Sequence, residues 1–389
     1  MQYNFDIQID RSQNYAAKLE ESLLNFGTKE VIPLWIADMD FRTAQPIIDA
    51  IKARADQGIF GYTFRPDDYF EAVRDWQRRR HGYSPAVKRM AFAPGVVPSL
   101  RIFLNLFTQP GDKILIQQPV YHPFADIVEN SNRTLVVSPL HRDDSGFYTM
   151  DTTDFEHKAK EGVKYFILCN PHNPVGRAWS KEELKEIGDI CVRYGVGILS
   201  DEIHGDLILH GNKHTVMATI SPEIAAITTT FISPSKTFNL AGLQASSIIF
   251  DTTEHQEHYL KTLKEMDIAR NNCFSLVATM AAYNEGEEWL EQLLAYVEGN
   301  MQFIGDYCRQ YLPLIKPNKP EATYMCWLDM RELKMGDDAL QEFLVKKAGI
   351  ALSQGSSFGQ GGQGFMRLNA ACPRSTLEKA LEQLRAALS

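Results

Sequence analysis

The sequence predicts an α/β fold, a mostly parallel sheet covered by helices on both faces and joined to a smaller α+β domain. Three observations predict it. Short β-branched runs alternate with helical patterns through the middle of the chain, and the C-terminal part breaks that alternation. A length of 389 residues also exceeds what one compact core usually holds. Strand and helix in alternation place crossover helices over the sheet, so its strands read as continuous apolar runs. Such sheets take ligands at the carboxyl ends of their strands.

Lys113–Gln117, Thr134–Val137, Lys164–Cys169, Val196–Leu199 and Ser246–Phe250 read as buried strands, and the apolar run Ala226–Ile232 ends in another. Pro94-Gly-Val-Val97 precedes the helical pattern Pro98–Thr108. Ser180–Tyr194 reads as a helix opened by Ser180-Lys-Glu-Glu183, the spacing in which serine and glutamate satisfy free backbone N–H groups. Arg78-Arg79-Arg80 reads as a solvated helix end. Farther on come a long amphipathic pattern over Glu285–Tyr311, a strand over Thr323–Asp329 and a helix over Asp337–Lys347. A glycine-rich stretch, Gly355–Gly364, reads as a mobile loop before the strand Phe365–Asn369. A final helix is expected to be capped by Ser375 with Glu378. The chain therefore divides into a large domain, 42–284, and a small domain made of 1–41 with 285–389.

Composition excludes several classes. A formal net charge of −9 argues against a nucleic-acid partner, because phosphate backbones are held by clustered cations. No apolar run approaches the roughly 18 residues of a membrane helix. The start, Met1-Gln-Tyr-Asn-Phe-Asp6, has no charged leader before an apolar stretch, so no signal peptide is read. The six cysteines are scattered without a C-x-x-C pair. They read as free thiols of a reducing cytoplasm, neither a disulfide framework nor a metal site.

The chemistry-bearing residues cluster at predicted strand ends. Ser233-Pro-Ser-Lys236 would present Lys236 at the carboxyl edge of the sheet beside the Ser233 and Ser235 hydroxyls. By itself such a lysine could equally be a solvated surface charge. Asp201, in Leu199-Ser-Asp-Glu-Ile-His204, would set an anion at the next strand end, or else cap the following turn. Asn170-Pro-His-Asn-Pro-Val-Gly176 makes a stiff loop able to hold Asn173 in fixed geometry. The free N–H groups of Val96 and Val97 would form an anion site. Tyr121, in Pro119-Val-Tyr-His-Pro-Phe124, offers a stacking ring. Arg367, flanked by Phe365, Met366 and Leu368, offers the planar fork that matches a carboxylate.

Together these meet the needs of pyridoxal 5′-phosphate. Lys236 would tether its aldehyde, and Asp201 would keep the pyridine nitrogen protonated, so that the ring withdraws electrons from the substrate. Asn173 would donate to the ring's phenolate oxygen. Tyr121 would stack on the ring, while Ser233, Ser235 and the two N–H groups held the phosphate. Arg367 would clamp the α-carboxylate.

In this order and spacing, Asn173-Pro-x-Gly176, Asp201-x-x-His204, Ser233-x-Ser-Lys236 and Arg367 resemble the fold-type I pyridoxal-phosphate enzymes, the aspartate aminotransferase superfamily. The match runs from about Trp35 to the C-terminus. Ile36-Ala-Asp-Met-Asp-Phe41, Gly61-Tyr62, Ser235-Lys-Thr-Phe-Asn239, Tyr324–Asp329 and Gly364–Arg374 are similar to the cystathionine β-lyase (C–S lyase) branch that includes MalY and PatB. The resemblance implies the transferase-like fold of these enzymes, with a seven-stranded-type sheet, and a homodimer with sites at its interface. Tyr62 would then reach the cofactor phosphate of the neighbouring subunit, and Ala37 would lie near the substrate carboxylate. His204 stands where many aminotransferases have a tyrosine, and Gln244 where they have a phosphate-binding arginine. Both departures look like the lyase branch.

The activity implied is β-elimination from a sulfur-containing amino acid, releasing thiol, pyruvate and ammonia, with Lys236 as base and Lys236 or Tyr121 as proton donor. An aminotransferase, or a non-catalytic pyridoxal-phosphate fold with a regulatory role, are the competing readings. His122, His172 and Tyr324 could line the pocket or serve ordinary loop and core roles.

Overall fold

The computed structural model describes all residues, Met1–Ser389. Its centre is a seven-stranded sheet in the order Met90–Ala93, Ser246–Ile249, Thr228–Ile232, Gly197–Asp201, Val163–Cys169, Lys113–Ile116, Thr134–Val137. Ser246–Ile249 runs antiparallel to both neighbours, and the remaining pairings are parallel. Most of these strands are buried on both faces, which is why their sequences are apolar without alternation. Thr134–Val137 differs from expectation: as the edge strand it is half-exposed. Met90–Ala93, too short to stand out in the sequence, forms the opposite edge and is buried.

Because the parallel strands share one direction, the segments that follow them converge on one edge of the sheet. Gly95, Tyr121, Asn173 and Lys236 follow a strand by a few residues, and Asp201 ends one. The helix Lys181–Tyr194 carries the expected capping box, with Ser180 accepting from the Glu183 N–H and Glu183 accepting from that of Ser180.

A four-stranded sheet orders Lys316–Pro317, Met325–Asp329, Phe365–Asn369 and Ser353–Gln354. The N-terminal part joins this region, since Ile32–Pro33 pairs in parallel with Ile350–Ala351. One apolar core of 49 buried residues runs from Phe5 through Trp76 and Tyr283 to Leu384, binding the N-terminal part, the helices Gln45–Asp56 and Asp67–His81, and the C-terminal region together. Each fully buried aliphatic side chain there contributes about 1.5–3 kcal/mol.

Several local expectations are corrected. The final helix spans Arg374–Leu388 and has no side-chain cap. Ser375 lies inside its first turn and accepts from Gln8 Nε2 instead. Arg78 and Arg79 are exposed, as expected of a solvated helix end, but Arg79 also donates to the Tyr283 carbonyl and Arg80 is half-buried against Glu287 and Glu291. Within the glycine-rich stretch two backbones meet closely. A Cβ on Gly355 or Gly362 would sit 2.2 or 2.0 Å from the other's carbonyl oxygen, an approach only glycines permit.

Candidate active site

A cavity of about 260 Å³ opens at the carboxyl edge of the sheet. It is lined by Ala37, Val96, Val97, Tyr121, Asn173, Asp201, His204, Ser235 and Lys236, together with Cys169, Ile203, Ala241, Gln244 and Ser246. Residues expected from six separate segments thus meet at one place.

Lys236 sits in the four-residue helix Pro234–Thr237, which begins as soon as the strand Thr228–Ile232 ends. Its Nζ donates to the Ala37 carbonyl at 2.6 Å. Burial, with Arg367 adding to it, pushes the amine down to about 8 against the pull of Asp38 and Asp201. Ser233 caps this helix: its Oγ accepts from the Ser235 N–H and donates to the Ala245 carbonyl. That commitment withdraws the Ser233 hydroxyl from the cavity, and Ser235 lines it instead.

Asp201 ends its strand and accepts from the Ile203 N–H at 3.1 Å, so it also makes the turn contact weighed as the alternative. Burial raises its carboxyl to about 7, Glu202 adding to the effect and Lys236 opposing it. His204 is buried with Nδ1 unpartnered, and burial lowers its imidazole to about 3. It is therefore neutral.

Arg367 is 5% exposed and makes no ion pair. Its Nη1 donates to Asn173 Oδ1 at 3.1 Å and its Nη2 to the Trp35 carbonyl at 2.9 Å, while Nε has no partner. Burial lowers it to about 10, which leaves it cationic near neutrality. A buried cation without a counter-ion is costly unless an anion arrives. Tyr121, whose N–H donates to the Asn173 carbonyl, has its hydroxyl pushed up by burial.

The helix after Gly95 spans Val96–Phe107, two residues earlier than its sequence pattern, so the N–H groups of Val96 and Val97 belong to its first turn at the cavity. Tyr62 is not in the cavity. It is 97% exposed, in a patch with Ile59, Phe60 and Phe64. His122 is exposed, and His172 is buried with its Nε2 on the Pro119 carbonyl, so neither lines the cavity. Tyr324 is buried, with its hydroxyl on the Ala37 carbonyl. Cys169 and Ser246 went unseen as lining residues because each sits inside a strand, where sequence shows only burial.

A larger cleft of about 750 Å³ is lined by Arg142, Arg177 and Arg331 among others. Their guanidiniums are already paired with Asp329, Glu183 and Glu321, and none of the expected site residues lines it.

Residues 29–384 match the family model of the class I and II aminotransferases. The chain belongs to this family. It is 42% identical to cystathionine β-lyase PatB of Bacillus subtilis, over 99% of this chain and 100% of that one. Among solved structures it resembles cystalysin of Treponema denticola, which contains pyridoxal 5′-phosphate, at a TM-score of 0.96 and 35% identity over 100% and 99% of the two chains. It also resembles a pyridoxal-phosphate-bound protein of Clostridium difficile 630, provisionally named an aminotransferase, at a TM-score of 0.98 and 48% identity over the whole of both chains.

The residues present fit pyridoxal phosphate. One cavity holds a buried amine of depressed basicity and a carboxyl that lacks a cation, and behind its Asn173 lies a guanidinium that lacks an anion.

Proposed function

We propose that the protein is a pyridoxal-phosphate-dependent carbon–sulfur β-lyase, acting on cystathionine or cysteine S-conjugates to give thiol, pyruvate and ammonia. The observation that carries this reading is that Lys236, Asp201 and Asn173 line one cavity, with Arg367, a buried cation without a carboxylate partner, bonded to Asn173 at 3.1 Å. The name of the B. subtilis relative supports elimination as the outcome.

When bound, pyridoxal phosphate withdraws electrons from the substrate's Cα and acidifies its proton. Arg367 holds the α-carboxylate through its two-pronged fork, oriented by Asn173 and the Trp35 carbonyl. Lys236, with its amine lowered to about 8, takes the Cα proton near neutral pH. Asp201 would meet the pyridine nitrogen, and a cationic partner there would restore its charge. Ser235 and the N–H groups of Val96 and Val97 would hold the phosphate. Asn173, His204 and Tyr121 line the same cavity and would hold the ring. The Cβ–S bond breaks with its electron pair on sulfur, and Lys236 or Tyr121 delivers a proton there. Released 2-aminoacrylate takes up water and yields pyruvate and ammonia.

A second copy of the chain completes the site in this reading. Tyr62, exposed in the single chain, reaches the partner's phosphate, and the homodimer buries the 59–64 patch. The six cysteines are unpaired, as in a reducing compartment such as the cytoplasm. No helix is long and apolar enough to cross a membrane.

Transamination is the second reading, favoured by the name of the C. difficile neighbour. Cystathionine supplied without any keto acid separates the two. The lyase gives steady pyruvate over many turnovers, whereas an aminotransferase stops after one half-reaction.

A further inference from the structure

The segment Trp35–Phe41 touches both charged groups of the cavity. Its Trp35 carbonyl accepts from Arg367, and its Ala37 carbonyl accepts from Lys236 at 2.6 Å and from the Tyr324 hydroxyl at 3.1 Å. Two asparagines hold this strap from either side. Asn239, three residues beyond Lys236, accepts from the Met39 N–H and donates to the Met39 and Phe41 carbonyls. Asn369, two residues beyond Arg367, donates to the Ile36 and Asp38 carbonyls at 2.7 and 2.6 Å.

The third hold is ionic. Lys18 is 1% exposed. Its Nζ lies 3.0 Å from the Asp38 carbonyl, 3.1 Å from each carboxylate oxygen of Asp40 and 2.8 Å from Asp38 Oδ1, the last contact lying off the hydrogen-bond direction. Arg11 donates to Asp38 Oδ2 at 2.7 Å and Asp40 Oδ1 at 2.6 Å. Lys18's own carbonyl accepts from Trp35 Nε1 at 3.0 Å and Ser22 Oγ at 2.8 Å. Burial alone would raise the Asp38 carboxyl, but Lys18 and Arg11 outweigh it and hold it below the usual range.

A lysine out of water persists only where oxygens surround it. This one spends its charge on the segment that carries the acceptor for the Lys236 amine. Two cations and two carboxylates cancel. Removing either cation leaves a net negative charge behind the Ala37 carbonyl, which favours the protonated amine. The other charged or titratable groups bearing on Lys236 are Arg367, Asp201 and His204.

We propose that Lys18 is a positioning residue for Lys236: through Asp38 and Asp40 it fixes the Ala37 carbonyl against the amine and neutralises the charge behind it. The inference rests on Lys236 being the cofactor-bearing residue.

The test is the protonation midpoint of the Lys236 nitrogen, as an imine in the cofactor-loaded protein and as a free amine without cofactor. The first is read by absorbance titration of the cofactor-loaded protein. The second is read by the pH dependence of Lys236 acetylation in the cofactor-free full chain, located by peptide mass. Lys18→Met moves both midpoints upward by about one pH unit, and Lys18→Arg retains the wild-type values. Arg11→Gln strips a cation from the same carboxylates at a less buried position, gives a smaller rise of the same sign, and decides alone if Lys18→Met does not fold. Unchanged midpoints in the folded variants overturn the proposal. A wild type that shows no cofactor bound at Lys236 defeats the functional reading instead, and the acetylation arm still reads the effect of Lys18.

Discussion

Lys236 Nζ donates to the Ala37 carbonyl at 2.6 Å, across 199 residues of sequence. The contact ties the short helix after a central strand to the strap before the first long helix. It accounts for a buried amine with no carboxylate in ion-pair contact: one carbonyl oxygen satisfies a proton without restoring full basicity.

Cofactor capture should follow that depressed basicity. Only the neutral amine attacks an aldehyde. With Lys236 at about 8, roughly a tenth is neutral at pH 7 and roughly nine-tenths at pH 9. Stopped-flow absorbance on cofactor-free protein should show the rate of pyridoxal-phosphate capture rising between pH 7 and 9 and levelling above. A rate still climbing past pH 10 would mean an ordinary, solvated lysine.

Asp201 gives a stability test. Its folded carboxyl titrates at about 7 and its unfolded one near the ordinary 3.8, so the folded state binds the extra proton between those values. Stability of the cofactor-free protein therefore falls as pH rises through that window, by on the order of 4 kcal/mol in all. Asp201→Asn lacks this slope. Without cofactor it should melt above wild type at pH 8 and converge with it toward pH 4. With pyridoxal phosphate present the order should reverse, because the variant cannot pair with a cationic ring.

Arg367→Lys keeps a positive charge and loses the fork. It should raise KM for amino-acid substrates by about tenfold to a hundredfold, the effect of about 1.5–3 kcal/mol for a charged hydrogen bond. Cofactor absorbance should stay as in wild type. Steady-state kinetics with cystathionine, alongside spectra, check both halves.

The exposed patch of Ile59, Phe60, Tyr62 and Phe64 should be an interface between copies. Sedimentation should give a dimer for wild type. Phe60→Asp with Tyr62→Asp should give a monomer that binds pyridoxal phosphate more weakly.

Much of the site was legible because strand ends announce themselves. Asn173, Asp201 and Lys236 each follow an apolar run, and a parallel sheet brings such ends together whatever the sequence between them. Arg367 stood out as a cation among apolar neighbours, and the structure buries it. Less legible was anything fixed by long-range packing. Ser233 looked like a phosphate ligand, but its backbone geometry at the strand end makes it a helix cap. Ser375 and Glu378 matched a capping pattern, yet the helix starts earlier with Pro373 at its cap position. Nothing local in Gly355–Gly364 shows that the backbones of Gly355 and Gly362 meet closely. Arg11 and Lys18 are common surface residue types in an unremarkable stretch. Nothing local shows that both reach Asp38 and Asp40.

The most direct measurement is borohydride reduction of the protein incubated with pyridoxal phosphate, followed by peptide mass mapping. The account predicts a single reduced adduct on the peptide carrying Lys236, and a colourless, inactive Lys236→Ala protein. An adduct mapped to another lysine, or full activity in Lys236→Ala, would contradict it.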